Sequence, residues 1–520
     1  MSVLSLALTP WGPVLLLMAA AVVLLPVNVR RLPRAVQAIT LLALGLTWAW
    51  VMVLSLSPAP VVAAEVVQAP LNVAVYALFR VDEVSWPFAA LVVTVGLAGA
   101  LLLPMHPPAG RVSGPSAGLM LIAGALLMVI SGNLLALFVG WVIVDGAYLA
   151  LLLEAHPRAT GRAVRLALLG PLILWFVLAA LPPERTIAPW NTADFPTWVL
   201  VLLALTVWLR VGAYPLHRQH RVHVPGLPVP WLWLDAVVGG VWLARWATLR
   251  DASLLWGHQT WVVMGVFAFF GSALAAWLSQ SPEERVNWIL VQRTSTLVLV
   301  PLLGAPPWEG WVFSLGAAVV LAGSVLLVSQ HLAFPRADRW VFLAAAAILW
   351  GLPFTLGAPV RALLARAWAW HPLAGLLLIL GDGLVAGALL LPDNNGRPRG
   401  DWRAGVRVGV FLVAALVLSA GASNGTLLSP TAWTWTTLAP LVIGMFVAWQ
   451  YERIFMDVRE WVWSLEVLAY LEPLENTARN AVTWLLAAIG GIIALVEGAG
   501  WIGWLVLAAL VTVVVQGWGI

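Results

Sequence analysis

Apolar runs of about 20 residues follow one another along nearly the whole chain, each long enough for a helix to cross a hydrocarbon core. No other feature limits the possible folds so sharply. Inside a bilayer the backbone must satisfy its own hydrogen bonds, so such runs become helices. Roughly 17 runs can be marked, with ends uncertain by several residues. The expected class is an all-α polytopic membrane protein with about 14–17 transmembrane helices. Of the 520 residues 62% are hydrophobic and 10% charged. Soluble domains carry roughly 25% charged residues, so no sizeable soluble domain fits beside these spans.

The charges that remain are informative. The chain has no lysine, so all 27 basic residues are arginine. Most fall in alternate loops: Arg30, Arg31, Arg34, Arg111, Arg158, Arg162, Arg218, Arg221, Arg336, Arg339, Arg397, Arg399, Arg403, Arg453 and Arg459 on one side, against Arg80, Arg185 and Arg250 on the other. The positive-inside rule puts the arginine-rich loops in the cytoplasm and the N-terminus outside, in what we expect to be a prokaryotic cytoplasmic membrane. The net charge of +4 reads as topology and not as nucleic-acid binding. Cysteine is absent, which excludes disulfides, thiolate metal sites and iron–sulfur ligation by this chain. No removable signal peptide is expected at the N-terminus.

Two spans combine a break with a charge. The seventh span ends Leu209-Arg-Val-Gly-Ala-Tyr-Pro-Leu-His217, with Arg210 beside Gly212 and Pro215. The twelfth holds Gly351, Pro353, Gly357, Pro359 and then Arg361. A buried charge beside a discontinuous helix is how ion sites are built at mid-membrane. The bland alternative is an arginine at a helix end, snorkelling to the interface. The Arg–Pro order is opposite in the two breaks, as two inverted five-helix repeats would produce. The expected organisation is an N-terminal helical region (1–113), a first repeat (114–247) and a second (255–391). Peripheral spans (404–450), an amphipathic cytoplasmic-surface helix (451–475) and a C-terminal helical hairpin (480–518) follow.

Five stretches carry a resemblance. Val81-Asp-Glu-Val-Ser85 resembles a V-D-G-L-S helix opening, and Ser131 to Trp141 resembles the fifth helix of the same family. Leu209 to His217, followed by Pro225-Gly-Leu-Pro-Val-Pro230, resembles an F-K-x-x-x-x-P-x-H and G-x-P-x-P run. Glu284-Arg285-Val-Asn-Trp resembles a D-x-K-R loop, and Gly351 to Arg361 resembles G-L-P-P-x-x-G-F-x-x-K. The chain is similar to the antiporter-like subunits of respiratory complex I, the NADH-quinone oxidoreductase, and to their Mrp-antiporter relatives. The match covers residues 81–391 at spaced positions. The resemblance implies ion translocation along charged residues in the membrane, driven by a redox module in partner subunits. Quinone, iron–sulfur clusters and flavin would belong to those partners and not to this chain. Partner calls are therefore other membrane subunits of a multi-subunit complex, the lipid bilayer and a redox module.

The departures bear on mechanism. The resemblance implies a glutamate after the Trp141 position, where this chain has Val142; Asp145 follows about one turn later. The two family lysines are Arg210 and Arg361. Lysine can lose its proton when desolvated and arginine effectively cannot. Either arginine is a fixed countercharge while acids and histidines carry protons, or pumping is lost.

The proposed pathway residues are Asp145 with Arg210, His217 beside the break, Asp235 in the eighth span, and Asp382 with Arg361. Each has a plain alternative: a static ion pair for Asp145, a cap at a kink between glycines for Asp382. Arg245 reads as an interfacial anchor. His217, His220 and His223 lack a nearby acid, so no metal site is expected, and no catalytic nucleophile set or phosphate loop is present. Three functions stay open: a proton-translocating subunit of a redox-driven complex, the membrane subunit of a proton-driven inorganic-carbon uptake system with a zinc carbonic-anhydrase-like partner, and a scaffold that does not pump.

Overall fold

The computed structural model describes residues 9–25, 32–54, 61–68, 74–101, 114–155, 161–189, 195–214, 229–249, 258–279, 281–304, 308–331, 337–390 and 430–450, with isolated positions between 413 and 418. Pro215, His217, most of the 404–422 span, the surface segment 451–475 and the hairpin 480–518 lie outside these residues. The chain divides into two units, Met1–Trp449 and Gln450–Ile520. The elements described belong to the first.

They run in order as α1 (Gly12–Leu24), α2 (Pro33–Leu54), β1 (Val61–Gln68), β2 (Ala74–Val81), α3 (Ser85–Leu101), α4 (Gly114–Val129), α5 (Leu134–Ala155), α6 (Gly161–Ala180) and α7 (Thr197–Val211). Then come α8 (Leu234–Leu249), α9 (His258–Leu278), α10 (Pro282–Leu303), α11 (Trp308–Ala317), α12 (Gly323–His331), α13 (Ala337–Trp350), α14 (Pro359–Trp370), α15 (Pro372–Leu390) and α16 (Pro430–Trp449). Among the described residues six helical stretches are long and apolar enough to cross a membrane: Pro33–Leu54, Leu134–Leu151, His258–Leu278, Pro282–Leu303, Glu309–Leu327 and Pro372–Leu390. Others are apolar but shorter, among them Thr197–Val211, cut short by Gly212. The chain is a polytopic helical membrane protein, as its apolar pattern requires.

One element departs from the helical pattern. β1 and β2 pair antiparallel, with Val61 opposite Val81 and Gln68 opposite Ala74. Each strand is eight residues, shorter than a strand needs to be to cross a bilayer. β2 also bonds the turn between α4 and α5: the Arg80 amide donates to the Ile130 carbonyl at 2.7 Å, and the Gly132 amide to the Leu78 carbonyl at 2.7 Å. Asp82 and Ser85 then close the entry to α3 reciprocally. The Ser85 amide donates to Asp82 Oδ1 at 2.8 Å, and the Asp82 amide to Ser85 Oγ at 2.9 Å. That is a side-chain cap of the kind that fixes helix starts. At α5, Asn133 Oδ1 accepts from the Ala136 amide at 2.9 Å and does the same work.

α10 lies at the centre. Ser281 caps it by accepting from the Glu284 amide at 3.1 Å, Pro282 follows the cap, and Glu283 and Glu284 oppose the positive helix end. Its most apolar 18-residue window is 83% buried inside the protein, against 33% for α2. It touches α7, α8, α9, α11, α12 and α14. Such all-round burial explains why α10 tolerates polar residues that a lipid-facing helix would not.

Helices approach closely where side chains are absent. Trp231, fully buried in a short helical turn before α8, wedges against α3 and α4 and donates its indole N–H to the Gly96 carbonyl at 3.1 Å. A methyl group added at Gly99 or at Gly118 would overlap the Trp231 ring. Small residues at such contacts are what allow close packing where no hydrophobic effect drives helix association. We expect Gly118→Ala to cost about 1–3 kcal/mol by overpacking. A fall in the thermal unfolding midpoint checks this, and Trp231→Phe in the same background should recover part of it.

Candidate functional site

Two buried ion-pair centres lie at the two helix breaks. The first is organised by Arg210, in the last turn of α7. Gly212 ends that helix with φ 75°, a left-handed conformation that needs glycine, and its amide donates back to the Trp208 carbonyl at 3.1 Å. The Gly212 carbonyl accepts from Thr294 Oγ1 of α10 at 3.2 Å. Trp208 donates its indole N–H to the Tyr214 carbonyl at 3.3 Å, holding the chain as it leaves the helix.

Arg210 is fully buried. Its Nη1 donates to Asp145 Oδ1 at 3.1 Å and to Asp235 Oδ1 at 2.8 Å. The guanidinium carbon sits 4.2 Å from the centre of the Trp141 ring. Both carboxylates thus converge on one nitrogen, while Nε and Nη2 have no hydrogen-bond partner among the described residues. Asp145 is nearly buried and Asp235 partly open, with side chains 4% and 18% exposed. The arrangement also explains the shifted acid. Trp141 and Asp145 turn inward at four-residue spacing, whereas Val142 is 45% exposed on the outer face. A carboxylate at position 142 would face away from Arg210.

The second centre forms at the break between α13 and α14. Gly351 ends α13 with φ 86°, and the Leu352 amide returns to the Ala347 carbonyl at 3.0 Å. A Cβ at Gly351 would meet the Gly357 carbonyl, and one at Gly357 would meet the Ile348 carbonyl, so the turn closes only with both glycines. Pro353 lies in that turn and Pro359 opens α14. Between them Phe354 holds φ 61°, which a bulky side chain rarely adopts.

Arg361, fully buried in the first turn of α14, reaches back into the break. Nε donates to the Gly351 carbonyl at 3.2 Å, Nη2 to the Trp350 carbonyl, and Nη1 to the Thr436 carbonyl of α16 at 2.8 Å. The ring of Trp350 lies 4.5 Å from its guanidinium carbon. Trp350 and Gly351 are carbonyls at a helix end, which have no partner within the helix and carry negative partial charge. Thr436 is a similar case. Pro440 sits four residues on inside α16 and has no N–H to donate to it. Arg361 supplies what the proline withholds.

Asp382, fully buried in α15, completes this centre. Its Oδ2 is 2.6 Å from Arg361 Nη1 and its Oδ1 accepts from Arg293 Nη2 of α10 at 2.7 Å. Two guanidiniums therefore share one carboxylate. Among the described residues no further acid pairs with Arg293 or Arg361.

Of the residues expected from sequence, the structure brings Asp145, Asp235 and Arg210 together, and Asp382 with Arg361. His217 and Pro215 lie outside the described residues. Sequence reading passed over Arg293, although a charge in the middle of an apolar run is the same signal that marked Arg210. Arg245 is corrected: it is not an interfacial anchor but buried, at 5% exposed. It donates from Nη1 to the Ser131 carbonyl at 2.8 Å and approaches Asp82 at 3.6 Å; Asp82 also pairs with Arg80 at 3.3 Å. This third cluster ties α8 to the β2 end of α3. Among the described residues no group of acids and histidines could hold a metal ion.

No protein-family model and no curated protein matches the sequence. Solved structures do match in shape. A chain of the Mrp complex from Dietzia sp. DQ12-45-1b aligns over 99% of this chain with a TM-score of 0.68 at 18% identity; this chain spans 63% of that one. A chain of the membrane-bound sulfane sulfur reductase, an archaeal respiratory membrane complex, aligns over 80% of this chain and 78% of its own length, with a TM-score of 0.64 at 14% identity. The fold implied by the sequence resemblance is thus the fold that this chain shares with these chains of multi-subunit membrane complexes.

Proposed function

We propose that this chain is an ion-translocating, antiporter-like subunit of a multi-subunit membrane complex, and that its first centre carries the transported proton on carboxylates. The observation that carries this reading is two carboxylates, from α5 and α8, on one buried guanidinium at a helix break. Arginine keeps its proton, so a change of charge at this centre falls on Asp145 or Asp235. Arg210 then serves as the fixed positive charge that makes one ionised acid tolerable at depth. Asp235 is the more open of the two and is the natural point of entry, while Asp145 is the inner acceptor. The two breaks belong to inverted repeats over 114–247 and 255–391, with the arginine-rich loops cytoplasmic. Movement is driven by a redox module in partner subunits, as in complex I-like assemblies, with quinone, iron–sulfur clusters and flavin held there.

The test is proton flux in vesicles containing the intact complex, followed with a pH-sensitive dye. Asp235→Asn and Asp145→Asn should each lower driven flux by about 10²-fold or more, the scale of a lost proton-transfer group. Flux equal to wild type in either variant overturns the assignment of that residue. Mass spectrometry of the gently solubilised complex tests the drive. Iron–sulfur and quinone-site subunits are expected. A single soluble zinc-binding partner would replace the redox reading with inorganic-carbon uptake.

A further inference from the structure

Among the described residues the second centre is not balanced. Arg293 and Arg361 share Asp382, leaving one positive charge over, and all three side chains are at most 1% exposed. Neither arginine can shed its proton to remove the surplus. An uncompensated buried charge is among the costliest features a protein interior can keep.

The surplus can be placed on one side chain. Arg361 spends donors on every nitrogen: each of the three donates to a carbonyl, and Nη1 also reaches Asp382. Arg293 spends only Nη2, on Asp382. Its Nε and Nη1 are buried with no hydrogen-bond partner among the described residues. The preceding residue, Gln292, is fully buried, and neither of its amide atoms has a partner there. Leaving such donors unmet costs more than a hydrogen bond gains.

We propose that Arg293, with the Arg361–Asp382 pair behind it, binds a small monovalent anion of chloride or bicarbonate size. One negative charge cancels the surplus and its lone pairs take the idle donors. A cation is repelled by the same surplus. Packing around Asp382 is close: a Cβ at Gly381 would press on Phe269 of α9, and one at Gly383 on Ile443 of α16. The site sits at the opposite break from the proton-carrying carboxylates, and its occupancy is read without any transport.

The experiment uses the full chain in lipid nanodiscs, dialysed into gluconate. Chloride and bicarbonate are titrated separately at constant pH and ionic strength. Thermal midpoint and tryptophan fluorescence are followed, since Trp350 stacks on Arg361. A saturable rise is expected for at least one anion, and the tighter of the two identifies the source. Arg293→Gln should weaken binding at least tenfold or abolish it. Asp382→Asn, which removes the competing negative charge, should tighten it about tenfold. Arg293→Lys keeps the charge with fewer donors and should bind more weakly than wild type but measurably. No saturable response in the wild-type chain overturns the proposal, as does an Arg293→Gln curve that matches wild type.

Discussion

Arg361→Lys is expected to leave little folded protein in the membrane, although the charge is kept. The guanidinium serves three carbonyls on two helices, from three different nitrogens, while Nη1 also pairs with Asp382. An ammonium has one nitrogen and cannot reach the Trp350, Gly351 and Thr436 carbonyls together. The loss of these charge-assisted bonds, each worth roughly 1.5–3 kcal/mol, consumes much of a stability of about 5–15 kcal/mol. Arg361→Leu should be worse, since no donor is left for any of the three carbonyls, although Asp382 keeps its bond to Arg293. Folded yield in detergent and thermal midpoint are the measurements. Pro440→Ala should rescue part of the loss in either variant, because the new amide can donate to Thr436 within α16. A Lys variant that melts like wild type would show that the carbonyl contacts carry no weight.

Arg210→Lys is expected to behave in the opposite way. Of the Arg210 nitrogens it is Nη1 that bonds both Asp145 and Asp235, so a single ammonium can take its place between them. The variant should fold, losing about 1 kcal/mol or less from weaker stacking on Trp141. Its transport should persist and gain a new dependence on pH, because a buried lysine can release a proton where arginine cannot. Arg210→Gln removes the cation and leaves two facing carboxylates. It should abolish driven flux and cost roughly 3–5 kcal/mol. The same conservative exchange thus fails at one break and succeeds at the other. Flux lost entirely in Arg210→Lys would show that guanidinium shape, and not charge, is what the first centre requires.

Much of this was legible in the sequence, for identifiable reasons. The helices follow from apolar length, and the two breaks from glycine and proline beside an arginine. Asp145 was found as the acid about one turn beyond position 142, although Val142 itself faces outward and Asp145 inward, and Asp382 by lying alone between glycines in an apolar span. Arg293 was not found, because it has no break beside it and its partner is 89 residues away in the chain. The role of Arg361 in the carbonyls of its own break was hidden for a similar reason. Pro440 and Arg361 are far apart in sequence, and no local pattern announces that one supplies the other. The hairpin at 61–81 escaped because hydropathy marks apolar length and says little about which shorter stretches pair as strands. Arg245 was misread from its place near a helix end, where only tertiary packing shows that the end is covered.

α10 bonds the first break through Thr294 and the second through Arg293, two neighbours set about 100° apart around one axis. The helix is thus keyed to both breaks at one level, by adjacent residues. A twist of a few tens of degrees would slip both keys in the same movement. A substitution that turns α10 is therefore expected to disturb both breaks together.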